Sequence, residues 1–188
     1  ECVIISSIGA TCERKGQHIF LEAIKLLQAE YLGDFNKNVE FILVGALEGP
    51  YLDSLHNLIK TQNLDHVRIL DHQENIYDQF MMADLFVCTS FMESFPVVLL
   101  LAMAFSLPIV TTNVDGIPEM VGHRQEGLHT LVGDPHSLAT NIKNLLDDKG
   151  LANKLGAKAE SKVIRLFDNK NLLEKYFALI QSAASKAD

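Results

Sequence analysis

The chain of 188 residues lacks a cysteine framework, a basic excess and any long apolar run. Its three cysteines, Cys2, Cys12 and Cys88, are odd in number and widely spaced, with no CxxC pair. A disulfide scaffold and a cysteine metal site are therefore excluded, and all three are expected to be buried, reduced thiols. The net charge of −8 excludes a broad electrostatic surface for nucleic acid, although a local basic cluster can still hold a phosphate. The longest apolar run, Val97 to Phe105, is far too short for a membrane span and is stopped by Ser106 and Pro108. No integral membrane segment is expected, and the first residues do not read as a secretory leader. The seven histidines are scattered without metal-ligand spacing, so no metal is expected. Repeats and low-complexity segments are also missing.

The chain opens with "ECVIISSIGA", inside an apolar strand and without Met. It is expected to be a piece of a longer protein that holds only half of an active site.

What is there is an alternation of strands and helices. Strands are expected at 2–9, 39–45, 66–70, 84–90, 108–112 and 127–132, each rich in apolar residues. Helical periodicity predicts helices over 17–31, 51–63 and 76–83, then from Pro96 to Phe105, then over 134–148, 150–166 and 169–184. Asp134 followed by Pro135 is an N-cap and first-turn pair, and Asp168 is a second expected cap. Continuously apolar strands that alternate with helices imply a parallel sheet covered on both faces. The expected fold is α/β, a doubly wound sheet of about six strands with further helices after it. In such sheets ligands sit beyond the carboxyl ends of the strands, so the strand-to-helix loops carry the function.

The first of these loops, "GATCERKGQH", places Arg14 and Lys15 between Gly9 and Gly16. Two adjacent cations can hold a phosphate, but the spacing fits neither the Walker loop nor GxGxxG. A solvated charged turn fits the pattern equally well. The loop after the fourth strand, "SFMESFPVV", places Glu93 before a helix that starts at Pro96. The first amides of that helix, on Val97, Val98 and Leu99, have no partner inside it and form an anion-binding end. The apolar helix behind them is expected to be buried all round. Glu93 is either a favourable charge at a helix start or an acceptor for sugar hydroxyls beside an anchored phosphate. Asp115-Gly116 reads as a turn, and Glu119 as an acid at the start of a short helix. Asp71, His72 and Glu74 follow the third strand and are placed to face the same cleft.

The order "IG…RKG", "FILVG", "ADLFVCTSFMESFPVVLL", "AMAFSLPIVTTNVDGIPEMV" and "LVGDPHSLATNI" resembles the C-terminal domain of family-four (group 1) retaining glycosyltransferases of the GT-B fold. The resemblance covers nearly the whole chain and is most specific over 83–121. It implies a Rossmann-like, sugar-nucleotide-binding C-terminal domain over 1–188, with a separate N-terminal domain that supplies most of the acceptor site. It implies a nucleoside-diphosphate sugar as donor substrate, no cofactor and no metal. It implies a cytoplasmic enzyme, or one held peripherally at a membrane through the other domain.

Matched residue by residue, Lys15 corresponds to the family's lysine that contacts the donor diphosphate, in the loop that begins at Gly9. Glu93 corresponds to the first acid of a pair of glutamates separated by seven residues and is expected to touch donor-sugar hydroxyls. Ser94, Phe95, Pro96, Val97 and Val98 correspond to the loop and helix start that line sugar and phosphates. His72, Gln73 and Glu74 correspond to the loop that meets the nucleobase. The family's second glutamate, a ribose ligand, falls at Leu101. An arginine usual after the first-loop glycine is Ala10, with Arg14 as an alternative cation. The glycines usual after the third strand and before "PIV" are Asp71 and Ser106. The implied function is donor binding in a hexosyl transfer to a hydroxyl acceptor with retention. The alternatives are a non-catalytic homologue, favoured by Leu101 and Ala10, and a GT-B sugar-nucleotide epimerase.

Overall fold

The computed structural model describes residues 2–35 and 39–167. The helix expected at 169–184 and its cap Asp168 lie outside the described residues.

Six strands form one parallel sheet: β1 (Val3–Ile8), β2 (Val39–Ala46), β3 (Val67–Asp71), β4 (Leu85–Cys88), β5 (Ile109–Thr112) and β6 (Leu128–Thr130). Their spatial order is β3-β2-β1-β4-β5-β6, and every pairing is parallel. Among the described residues seven α-helices connect and follow them: α1 (Gln17–Phe35), α2 (Pro50–Thr61), α3 (Tyr77–Met82), α4 (Val97–Ala104), α5 (Ile117–Met120), α6 (Pro135–Asp147) and α7 (Lys149–Phe167). This is the doubly wound, Rossmann-like architecture.

The central strands are apolar on both faces because both faces are covered. All four residues of β4 are buried, and its side chains alternate between two cores. Leu85 and Val87 join Phe20, Ile24, Leu55 and Ile142 under α1, α2 and α6. Phe86 and Cys88 join Phe80, Leu99, Met103 and Val163 under α3, α4 and α7. The edge strand β3 departs from the continuous pattern and exposes Arg68 and Asp71, since it has a neighbour on one side only.

The α6 start is fixed as the sequence implies. Asp134 Oδ1 accepts the amides of His136 (3.0 Å) and Ser137 (3.1 Å), and Pro135 fills the first position. α7 passes from one core to the other, contributing Ala152 and Leu155 to the first and Ala159 and Val163 to the second. Its Lys162 is paired at 3.2 Å with Glu126, whose Oε2 also accepts the Gly122 amide at 2.8 Å.

Two expectations need correction. α4 is not buried all round: Val97, at its start beside the loops, is 63% exposed, and Ala104, at its last position, is exposed as well. The cysteines are not all buried; Cys88 is, Cys12 is half-buried and Cys2 is exposed at the start of β1. No helix among the described residues is long and apolar enough to cross a membrane.

Candidate functional site

β1 and β4 are neighbours in the sheet, but their outgoing loops lead to helices on opposite faces: α1 on one, α4 on the other. The loops part at this point and leave a crevice beyond the strand ends. Each loop delivers one charged residue to it. The β1–α1 loop makes a single 3-10 turn over Glu13–Lys15 and ends on Gly16, at φ 66°. The turn is held to the β4 loop by two bonds: the Phe91 amide donates to Arg14 O at 2.8 Å, and the Thr89 hydroxyl donates to Lys15 O at 2.9 Å. On its other side Thr11 Oγ1 accepts the Leu47 amide at 2.8 Å and donates to Leu47 O at 3.1 Å.

Lys15 and Glu93, separated by 78 positions, form an ion pair and hydrogen bond in this crevice, with side chains 18% and 9% exposed. Arg14 Nη1 lies 3.3 Å from the same Glu93 Oε1 and donates to Met92 O at 2.9 Å. Ser90 Oγ donates to Oε1 at 3.2 Å. Two donors and a second cation thus converge on one carboxylate oxygen, while among the described residues none bonds Oε2. A carboxylate held this way keeps an acceptor for a hydroxyl, and two cations beside it offer charge to an anion.

The start of α4 borders the same crevice. Pro96 is buried and caps the helix without a side-chain bond, and Ser94, Phe95 and Val97 are exposed. Phe95 packs edge-on against Phe167 of α7, with ring centroids 5.6 Å apart. The amides of Val97 and Val98 make up the open end. The Leu99 amide does not belong to it, because it donates to Pro96 O at 3.0 Å in a tightened first turn. Gly9, Lys15, Gln17, Ser90 and Val98 share one small recess behind the cation. The buried Gln17 donates from Nε2 to Ala10 O at 3.0 Å, and its Oε1 has no partner among the described residues.

The other expected residues lie further out. His72, Gln73 and Glu74 follow the edge strand β3, two strands from β1, and no hydrogen bond or ion pair joins them to Lys15 or Glu93. Leu101 is half-buried and packs in the α3–α4 core, in the same cluster as Leu70 and Ile76, which flank that loop. It neither points freely into solvent nor sits fully in the core. Ala10 is exposed, and Glu119 is exposed on α5.

Sequence reasoning missed the supports of Glu93. Ser90 and Thr89 read as strand ends, and Asp115 as a turn residue. In the structure Asp115 Oδ2 accepts the Glu93 amide at 2.8 Å, the Gly116 amide donates to Glu93 O at 3.2 Å, and the Thr112 hydroxyl donates to Ser90 O at 2.7 Å. Glycine is needed at 116 because a Cβ there would lie 1.9 Å from Ser94 O.

Cations and a carboxylate thus meet at the topological switch point of a parallel α/β sheet, where such sheets take their ligands. The family model for glycosyl transferases group 1 matches residues 3–162, and the chain belongs to that family. It is 34% identical over 140 residues to the N-acetyl-alpha-D-glucosaminyl L-malate synthase of Bacillus anthracis, covering 74% of this chain and 36% of that protein. Anabaena HepE in complex with UDP superposes with a TM-score of 0.87 at 26% identity, over 96% of this chain and 49% of that one. The C-terminal domain of the group 1 glycosyl transferase LpcC from Francisella tularensis shares the fold, with a TM-score of 0.79 at 21% identity, over 89% of this chain and 87% of that one. The chain spans less than half the length of the synthase, and 44% of the Staphylococcus aureus capsular glycosyltransferase CapM.

Proposed function

We propose that this chain is the donor-binding C-terminal domain of a retaining hexosyltransferase that uses a UDP-sugar and needs no metal or cofactor. The observation that carries this reading is the meeting of Lys15, Arg14 and Glu93 at the crevice between β1 and β4. UDP as the nucleotide is supported by the HepE complexes, solved with UDP and with UDP-glucose. In the proposed reaction the bond between the sugar's anomeric carbon and the diphosphate oxygen breaks. A hydroxyl oxygen of the acceptor bonds to the same face of that carbon and gives up its proton to the departing diphosphate oxygen. Lys15, Arg14 and the Val97 and Val98 amides stabilise the negative charge that gathers on the leaving diphosphate. Glu93 Oε2 accepts hydroxyls of the sugar and sets its orientation. His72, Gln73 and Glu74 border the base, and Ser94, Phe95 and Pro96 line the sugar.

The acceptor half is assigned to a separate N-terminal domain, with the enzyme in the cytoplasm or peripheral to a membrane. The 188-residue chain alone is therefore expected to give no transfer above background. The test is incubation of the full-length parent with UDP-hexoses and hydroxyl acceptors, with the product's anomeric configuration read by NMR. Product with the donor's configuration supports the reading, and inverted product or robust transfer by the chain alone contradicts it. Leu101 in place of a ribose-binding acid favours a second reading, a non-catalytic homologue. Full-length protein that binds UDP yet never turns over would support that one.

A further inference from the structure

We propose that Asp115 is the positioning residue for Glu93, fixing which carboxylate oxygen faces the donor sugar. The proposal rests on the reading of Glu93 as a sugar contact.

Both backbone polar groups of Glu93 are bonded by one neighbouring loop. Asp115 Oδ2 accepts its N–H at 2.8 Å, and the Gly116 N–H donates to its C=O at 3.2 Å. The same loop approaches Ser94 O so closely that no side chain fits at position 116. One strand end earlier, the Thr112 hydroxyl holds Ser90 O at 2.7 Å, and Ser90 Oγ in turn donates to Glu93 Oε1 at 3.2 Å. The turn from Ser90 to Glu93 is therefore clamped at both ends, by the last residue of β5 and by the loop that follows it. With the backbone fixed, Lys15, Arg14 and Ser90 can all meet Oε1, which leaves Oε2 as the outward acceptor.

Asp115 itself has φ 44°, in the left-handed region that aspartate, asparagine and glycine tolerate best. Its side chain reaches the neighbouring loop from that conformation, so backbone and carboxylate act together. The acceptor atom matters most here, and the carboxylate charge strengthens its bond to the amide. Asparagine at this position keeps both the left-handed backbone and an oxygen acceptor. Glycine keeps the backbone and loses the acceptor.

The experiment compares the unaltered chain, Asp115→Asn and Asp115→Gly by two readouts: exchange of the Glu93 amide by NMR, and the ratio of UDP-glucose to UDP affinity by calorimetry. Asp115→Gly should speed Glu93 exchange by about tenfold or more, the size expected for one hydrogen bond to a charged group. It should also remove the advantage of UDP-glucose over UDP, since the sugar reaches Glu93 in this reading and UDP does not. Asp115→Asn should restore most of both, since it keeps the acceptor oxygen without the charge. Unchanged exchange and ratio in Asp115→Gly would overturn the proposal, as would an Asn variant that loses as much as the Gly variant. Equal affinity of the unaltered chain for UDP and UDP-glucose would overturn it too. A chain that binds neither nucleotide would defeat the functional reading, and the exchange readout would still decide whether Asp115 holds Glu93.

Discussion

Gly16 faces the carbonyl oxygen of Thr89 so closely that a Cβ on Gly16 would lie 2.3 Å from it. This approach seals the β1–α1 turn against the β4 loop and brings Lys15 to Glu93. Gly16 also stands at φ 66°, where a side chain adds strain of about 1–2 kcal/mol before any clash. Gly16→Ala is expected to destabilise the chain by about 2 kcal/mol or more, read as a lower midpoint in urea unfolding. A change under about 0.5 kcal/mol would mean that the two loops separate freely.

The Lys15–Glu93 pair is mostly buried, so Lys15 is not a simple surface cation. Removing it leaves a carboxylate that only Arg14 and Ser90 partly compensate. Lys15→Ala should cost about 1–3 kcal/mol of stability, and in the full-length parent about 2.7–4 kcal/mol of transition-state stabilisation. A double-mutant cycle with Glu93→Ala should show a coupling energy of about 0.5–3 kcal/mol. Strict additivity of the two losses would show that the pair does not interact in solution.

Leu101 is half-buried, so a carboxylate there escapes the full penalty of an apolar interior. Leu101→Glu is expected to fold with a modest loss of stability and to bind UDP about tenfold more tightly, as one charge-assisted bond to ribose allows. Thermal melts with and without UDP separate the two effects. A variant that folds and gains nothing from UDP would place position 101 away from the ribose.

Stability should fall in mild acid because of His129. Burial lowers the pKa of its ring below the usual 6.5, outweighing the bond to Val121 O, and nearby His123 lowers it further. The unfolded chain therefore takes up a proton at a higher pH than the folded one. Below about pH 6.5 the unfolded state binds more protons, and stability drops until the folded ring protonates as well. Urea unfolding at pH 7.5 and 5.5 should show a smaller acid loss in His129→Gln than in the unaltered chain. Equal losses would assign the effect to other groups.

Asp134 is the clearest local device in the chain, with two amides on one carboxylate oxygen. Asp134→Ala should cost about 1 kcal/mol by urea unfolding.

Much of the fold is readable in the chain because its strands are unusually pure. Stretches such as "DLFVC" have no polar alternation, and only a sheet covered on both faces hides them. The Asp134-Pro135 pair marks its helix for the same local reason. Strand order is different: nothing in the linear pattern says that β1 lies between β2 and β4. That adjacency creates the crevice, and it is visible only in the folded chain. Lys15 and Glu93 were legible as loop charges, but their pairing was not, since 78 positions separate them. Asp115 carried a correct but incomplete signal. Asp-Gly marks a turn whether or not its carboxylate holds another loop. Val97 misled in the other direction, since continuous apolarity does not distinguish a buried helix from one whose first turn borders a cleft. Ser106 explains a family habit: it sits at φ 56°, a conformation that glycine adopts without cost.

The central claim is that the crevice between β1 and β4 binds the diphosphate of a nucleotide through Lys15. Calorimetric titration of UDP into the chain and into Lys15→Ala, at low and moderate salt, tests it most directly. The account predicts one saturable site, weaker at higher salt and weakened about tenfold or more by the substitution. Absence of saturable binding to the folded chain, or equal affinity in a folded Lys15→Ala variant, would contradict it.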